Sequence, residues 1–235
     1  MLEHTNFLTE LKQLMDSNNV ISIYGKAGTG KTSLSIFLVG SYMTTDPPFY
    51  QQCVWIQASE FFPARRLTQL FHNDKDRLYY IRNNIFITPF KRPFLSYQEQ
   101  SKYFTDMEHK IFPPDVKYIV VDNISHHLRF EVAKYQNITD KIAFLNRYYE
   151  AQLLPLILFT QRNNIILILI HEVSYSPKLD MIVPFFHSLY QRVETIAIKL
   201  EKNIITHHNY LYLSLAKNSI VLNYDILEDG FQFRL

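Results

Sequence analysis

Between an apolar run, Val20-Ile21-Ser22-Ile23-Tyr24, and a helix-like run, Ser33-Leu34-Ser35-Ile36-Phe37-Leu38-Val39, the chain reads Gly25-Lys26-Ala27-Gly28-Thr29-Gly30-Lys31-Thr32. A strand, a G-x-x-x-x-G-K-T turn and a helix, in that order, leave few folds open. The glycines let the backbone aim its N–H groups at a polyphosphate. Lys31 brings a cation to the β and γ phosphates, and the Thr32 hydroxyl is a ligand for Mg2+. The helix that starts here adds the partial positive charge of its first turn. Three of the chain's five glycines stand in this turn. The expected nucleotide contacts are therefore Gly25, Lys26, Ala27, Gly28, Thr29, Gly30, Lys31, Thr32 and Ser33.

The chain has 235 residues, enough for one α/β domain with a sizeable core. It is 47% apolar, which excludes a disordered chain, and its formal net charge is +2. No global field draws it to nucleic acid, so any such contact must be local. The single cysteine, Cys53, rules out a disulfide within the chain and fits a reducing compartment. The opening Met1-Leu2-Glu3-His4 has no basic region leading into an apolar block, so no signal peptide is expected. The longest apolar stretch, Ile165 to Ile170, is too short to cross a bilayer. A soluble, intracellular protein without a membrane partner is expected.

The patterning alternates strands and helices. A short amphipathic helix over Asn6 to Met15, within residues 1–17, precedes the first strand. Thr44-Thr45-Asp46-Pro47-Pro48 is a loop. Cys53 to Ile56 and Asn84 to Thr88 are strands, and Pro63 to Phe71 and Tyr97 to Ile111 are helices. Tyr118-Ile119-Val120-Val121-Asp122 is a buried strand ending in an acid. Lys141 to Gln161 is a long helix bent before Pro155. The strand Ile165 to Ile170 is apolar throughout, so both of its faces must be covered, as in a parallel sheet sandwiched by helices. Residues 195–235 differ: Thr195 to Glu201, Asn209 to Ala216, Ser219 to Ile226 and Phe231 to Arg234 read as an antiparallel meander. The fold expected over 1–235 is a mostly parallel, twisted α/β sheet flanked by helices, with C-terminal antiparallel β-hairpins.

Hydrolysis of a bound nucleotide usually needs a carboxylate near the metal. Asp122 closes a buried strand well after Lys31, the form expected of a Walker B acid that shares Mg2+ with Thr32.

With both motifs placed, the chain resembles the RecA superfamily, most closely its archaeal and eukaryotic recombinase branch. Five segments carry the resemblance. Ser22-Ile23-Tyr24-Gly25 leads into the phosphate loop. Val54-Trp55-Ile56 followed by Pro63-Ala64-Arg65-Arg66 is similar to Y-I-D-T-E-G and then P-E-R. Ile119-Val120-Val121-Asp122-Asn123-Ile124 followed by Arg129-Phe130-Glu131 is similar to I-V-V-D-S and then R-x-E. His171-Glu172-Val173 ends its strand as N-Q-V does. Pro184 to Lys202, ending Ile198-Lys199-Leu200-Glu201-Lys202, is similar to the stretch ending I-R-L-E-K. The resemblance spans nearly the whole chain. With about twenty residues before the phosphate loop, the N-terminal helical DNA-binding domain of full recombinases is not expected. The resemblance is therefore to short paralogues, of the archaeal RadB type or the short eukaryotic type. It implies ATP as nucleotide, a RecA-like P-loop core, and a role assisting homologous recombination and DNA repair beside a recombinase or another paralogue. It also implies a nuclear location in a eukaryote, or cytoplasm and nucleoid in an archaeon. The alternative is a KaiC-like single-domain regulatory ATPase without a DNA role.

The chain departs from that pattern in three places. Counting back from Pro63 puts Ser59 where the family has its water-orienting glutamate, with Glu60 adjacent; a one-residue loop adjustment brings Glu60 in. The catalytic set is then Lys31, Glu60 and Asp122. The N-Q-V glutamine, which in the family senses the γ-phosphate, falls at Glu172. An anion facing a phosphate needs Mg2+ or a cation such as Lys178 or Arg162 between them. The glycines after the family's conserved proline fall at Phe186 and His187. Slow ATP hydrolysis and weakened DNA-coupled switching are expected.

The family's two DNA-facing loops correspond to the segments after Asp122 and after Glu172. They hold Arg129 and Lys134, then Lys178 and Phe185, as candidates for single-stranded DNA contact, with His126, His127, Tyr175, Phe186 and His187 nearby. So few cations imply modest, salt-dependent affinity. Packing is the competing role for Phe185 and Phe186, and a salt bridge to Glu131 or another acid for Arg129. The pairs His126-His127 and His207-His208, read as strand neighbours, point to opposite faces and do not suit zinc. Core demand explains much of the sixteen Tyr and eighteen Phe, while exposed aromatics favour protein interfaces.

Overall fold

Apolar side chains alternate along the central strands, and the alternation divides them between two cores. The structure, a computed structural model, describes residues 4–45, 50–203, 208–215 and 218–234. In chain order the elements are α1 (His4–Ser17), β1 (Val20–Gly25), α2 (Lys31–Tyr42), β2 (Gln52–Gln57), α3 (Ala64–Leu70), α4 (Lys75–Asn84), β3 (Ile85–Thr88), α5 (Tyr97–Thr105), β4 (Val116–Asp122) and α6 (His126–Ala133). There follow α7 (Ile138–Tyr148), α8 (Leu154–Arg162), β5 (Ile166–His171), β6 (Val173–Ser176), β7 (Met181–Pro184), α9 (His187–Tyr190), β8 (Ile196–Lys202), β9 (Asn209–Leu215), β10 (Asn218–Leu227) and β11 (Gly230–Arg234). Met1 to Glu3, Asp46 to Pro48, His207 and Ala216, on which expectations were placed, lie outside the described residues.

Nine strands form one sheet in the order β11-β10-β9-β8-β1-β5-β4-β2-β3. From β8 to β3 every pairing is parallel, and from β8 to β11 every pairing is antiparallel. The expected mostly parallel sheet with a C-terminal meander is thus the observed one. Ile21, Ile23, Trp55, Val120, Ile168 and Ile170 point into one core with α1 to α4. Val20, Val54, Ile56, Val121, Leu167 and Leu169 point into the other, with α5 to α9. Strand side chains alternate faces, so a run apolar at every position needs two cores. All six residues of β5 are buried.

Helix α1 docks on its own chain: Phe7, Leu11 and Met15 are buried, and the Phe7 ring sits 4.9 Å from that of Phe233 on β11. The long helix begins at Ile138, where Asn137 accepts from the Thr139 N–H, and loosens into a π turn over Tyr149–Leu153 just before Pro155. The π turn falls where a bend before Pro155 is expected, since proline cannot donate to the preceding turn.

Four elements differ from expectation. Helix α4 has no counterpart in the sequence reading, because Ile81 is its one fully buried side chain and Asp74 supplies its cap. The helix from Tyr97 stops at Thr105, short of Ile111. The segment after Asp122, expected as a loop, is helix α6, and the segment after Glu172 is the β6–β7 hairpin.

Candidate nucleotide site

Strands β1, β5 and β4 are adjacent and parallel, so the segments leaving their carboxyl ends meet. That edge is where open α/β sheets place ligands. Two glycines make the turn possible. Gly30 precedes α2 at φ 89°, and a side chain there would collide with Ile226. Gly28 sits at φ 78° with open space where its side chain would be. The first N–H groups of α2 have no partner within the helix and face the same space. Lys31 Nζ donates to the carbonyls of Gly25 (2.8 Å) and Lys26 (3.1 Å), holding the loop closed. Burial lowers the Lys31 pKa, while the charges of Asp122, Glu172 and Glu60 act the other way.

Asp122 ends β4 and is 7% exposed. The Thr32 hydroxyl donates to its Oδ2 at 3.0 Å, joining the two expected metal ligands directly. Burial pushes the Asp122 pKa up to about 6, with Glu60 adding to the rise and the Thr32 hydrogen bond and Lys31 opposing it. The Asp122 carbonyl accepts from the N–H groups of Ala58 (2.7 Å) and Ser59 (3.2 Å). This draws the 58–60 segment to the site and leaves Glu60 exposed on the cleft wall. Thr29, expected to contact nucleotide, is buried with its hydroxyl on the Lys26 carbonyl. The cleft of about 520 Å³ is lined by the phosphate loop apart from Thr29, and by Glu60, Asp122, Asn123, Arg129, Ile170, Glu172 and Val173. That is the size of a small-molecule site. Its donor set (loop N–H groups, an ammonium, a hydroxyl and a buried carboxylate) fits a metal-bound triphosphate.

Glu172 stands opposite the loop, and its counter-cations are not the expected ones. Arg129 Nη1 pairs with Glu172 Oε2 at 2.8 Å, and His126 Nδ1 lies 2.9 Å from Oε1. Lys178 is exposed in the turn of the β6–β7 hairpin, and Arg162 closes α8 near the opposite end of β5. Both partners of Glu172 come from α6, whose helical turn brings His126 and Arg129 to one side. The Asn123 side chain accepts from the Ser125 N–H and hydroxyl, and Ser125 Oγ accepts from the Glu172 N–H at 2.9 Å.

The other expected contact residues are dispersed. Lys134 pairs with Glu131 at 2.7 Å. Phe185 and Phe186 form an edge-to-face pair at 4.4 Å, with Phe186 packed against the second core. His127 faces the carbonyls of Ala58 and Phe94, and burial lowers its pKa. His126 and His127 are therefore helix neighbours with separate partners. Among the described residues no group of three His, Cys, Asp or Glu is gathered for a metal.

The C-terminal meander covers the loop from behind, which no sequence motif announces. The Tyr224 hydroxyl donates to the Thr29 carbonyl at 2.7 Å. Arg66 on α3 donates to Ser33 Oγ (3.2 Å) and to the Leu227 carbonyl (2.9 Å), tying the start of α2 to the β10–β11 turn. Buried His171, next to Glu172, has a pKa lowered to about 3 by burial and then by the Lys31 charge, so it is neutral.

Sheet order, phosphate loop and strand-ending acid together are a RecA-like P-loop fold. No protein-family model matches the chain, and no curated protein does. Among solved structures, the crystal structure of the RadB recombinase is similar, with a TM-score of 0.64 and 19% identity over 90% of this chain and 89% of that one. At that identity the likeness is one of fold. No helix among the described residues is long and apolar enough to cross a membrane.

Proposed function

We propose that this chain is an ATP-binding recombinase paralogue. It assists homologous recombination and DNA repair inside the cell, with slow hydrolysis and modest DNA affinity, beside a recombinase or another paralogue. The observation that carries the reading is the 3.0 Å contact of Thr32 with Asp122 beneath the phosphate loop, on a RecA-like sheet.

The residues divide the work. Loop N–H groups and Lys31 would seat the phosphates, and Thr32 with Asp122 would hold Mg2+. When bound, the metal neutralises charge developing on the phosphates. Asp122 must be ionised for that duty, and although burial raises its pKa to about 6, that value still lies below neutral pH. Glu60 lies on the cleft wall, which supports a role for its carboxylate in orienting water. Its exposure favours slow turnover, because an unscreened, preorganised site is what raises rate. A phosphate-release assay tests this: slow release, little changed by single-stranded DNA, is expected, and fast DNA-stimulated release contradicts it. A pull-down from native extract with and without ATP tests the partner, which should be a recombinase or another paralogue.

The second reading, a KaiC-like regulatory ATPase, is favoured by one observation. Arg129, a candidate DNA contact, is turned onto Glu172 in the nucleotide cleft. Binding of single-stranded DNA at low salt separates the two.

A further inference from the structure

We propose that Arg129 is a terminal-phosphate sensor whose resting seat is Glu172, and that it trades that carboxylate for the phosphate when a nucleoside triphosphate binds. The inference rests on the nucleotide reading above. Three features of the cleft lead to it.

Arg129 lines the same cleft as Lys31, Thr32 and Asp122. Its guanidinium pairs with Glu172, which lines that cleft as well. The side chain is 42% exposed, against 23% for Glu172, so solvent and an incoming ligand reach Arg129 more readily than its partner.

Glu172 is fixed by its backbone. Its N–H donates to Ser125 Oγ and its carbonyl accepts from the Phe185 N–H, both at 2.9 Å. Its carboxylate meets Arg129 and His126, and its charge already acts on Lys31. A terminal phosphate arriving at Lys31 competes with the Glu172 carboxylate for Arg129. The trade is favoured because a guanidinium fork matches phosphate as well as carboxylate and the phosphate carries the greater charge. His126, 2.9 Å from the other oxygen, remains to hold Glu172.

Arg129 also lies over the rings of Phe130 (5.0 Å) and Phe185 (6.0 Å). Phe185 follows β7 and is bonded to Glu172 through its backbone. A swing of Arg129 therefore removes a contact from the segment that closes the β6–β7 hairpin. A diphosphate has no terminal group to make the trade and leaves the pair intact.

The test is calorimetric titration of Mg-ATP and Mg-ADP into the full chain, wild type and two variants with opposite expected effects. For Arg129→Gln, ATP affinity should fall about tenfold or more, the worth of a charge-assisted hydrogen bond, with ADP affinity unchanged. For Glu172→Gln, which removes the competing charge but leaves Arg129 in place, ATP should bind more tightly and ADP as before. Equal effects on both nucleotides, no effect of Arg129→Gln, or weaker ATP binding by Glu172→Gln overturns the sensor. Failure of the wild type to bind either nucleotide overturns the nucleotide reading itself, a separate result.

Discussion

The hydroxyl of Tyr224 on β10 donates to the carbonyl of Thr29 inside the phosphate loop, at 2.7 Å and out of reach of solvent. Residues far apart in the chain thus meet because β8 pairs with β1 and carries the antiparallel strands across to the loop. Tyr224→Phe leaves that carbonyl buried without its donor. Unfolding in urea should show a loss of about 1–2 kcal/mol, and ATP affinity should fall with it. An unchanged midpoint would mean the meander does not brace the loop.

Asp122 gives a pH dependence with a definite sign. Its pKa is raised from 3.8 to about 6 by burial. Since the folded value lies above the unfolded one, the stability this group contributes is present below about pH 4 and lost as pH rises through 6. Without nucleotide, Asp122→Asn should be more stable than wild type at pH 8, by on the order of 1–3 kcal/mol. The gap should close between pH 6 and pH 4. Stabilisation of the wild type by Mg-ATP should weaken below pH 6, because the metal requires the ionised acid. Thermal melts across that range check both; a gap that widens on acidification refutes the assignment.

Glu60→Gln separates binding from turnover. Glu60 lies on the cleft wall, and the neutral amide cannot orient water as the carboxylate does. Phosphate release should drop about tenfold or more, with ATP affinity little altered. Release at the wild-type rate would move the water-activating group to a partner chain.

DNA contact, if made by the hairpin, depends on Lys178, exposed in the turn between β6 and β7. Lys178→Ala should weaken binding of single-stranded DNA at low salt and flatten its salt dependence by roughly one ion. Lys134→Ala should do less, because Lys134 is already paired with Glu131. Fluorescence anisotropy over a salt series reads both.

The parallel sheet was legible because its signals are local. An unbroken apolar run such as Ile165 to Ile170 demands cover on both faces, and a glycine-rich turn between a strand and a helix has few other uses. Thr32 and Asp122 were legible for the same reason, each belonging to a short motif. Helix α4 was not, since Ile81 is its single fully buried residue and its other positions carry no stripe. The partners of Glu172 were missed because the segment after Asp122 reads as a loop by analogy. Only its helical turn sets His126 and Arg129 side by side. The contacts of Tyr224 and Arg66 with the loop depend on strand order, which periodicity does not encode.

The central claim is that a magnesium-bound triphosphate is gripped where β1 passes into α2. Isothermal titration of Mg-ATP into the purified chain tests it most directly, with Lys31→Ala alongside. The account predicts heat and a thermal upshift for wild type, both lost in Lys31→Ala. No heat and no shift from wild type, even with candidate partner proteins present, would contradict it.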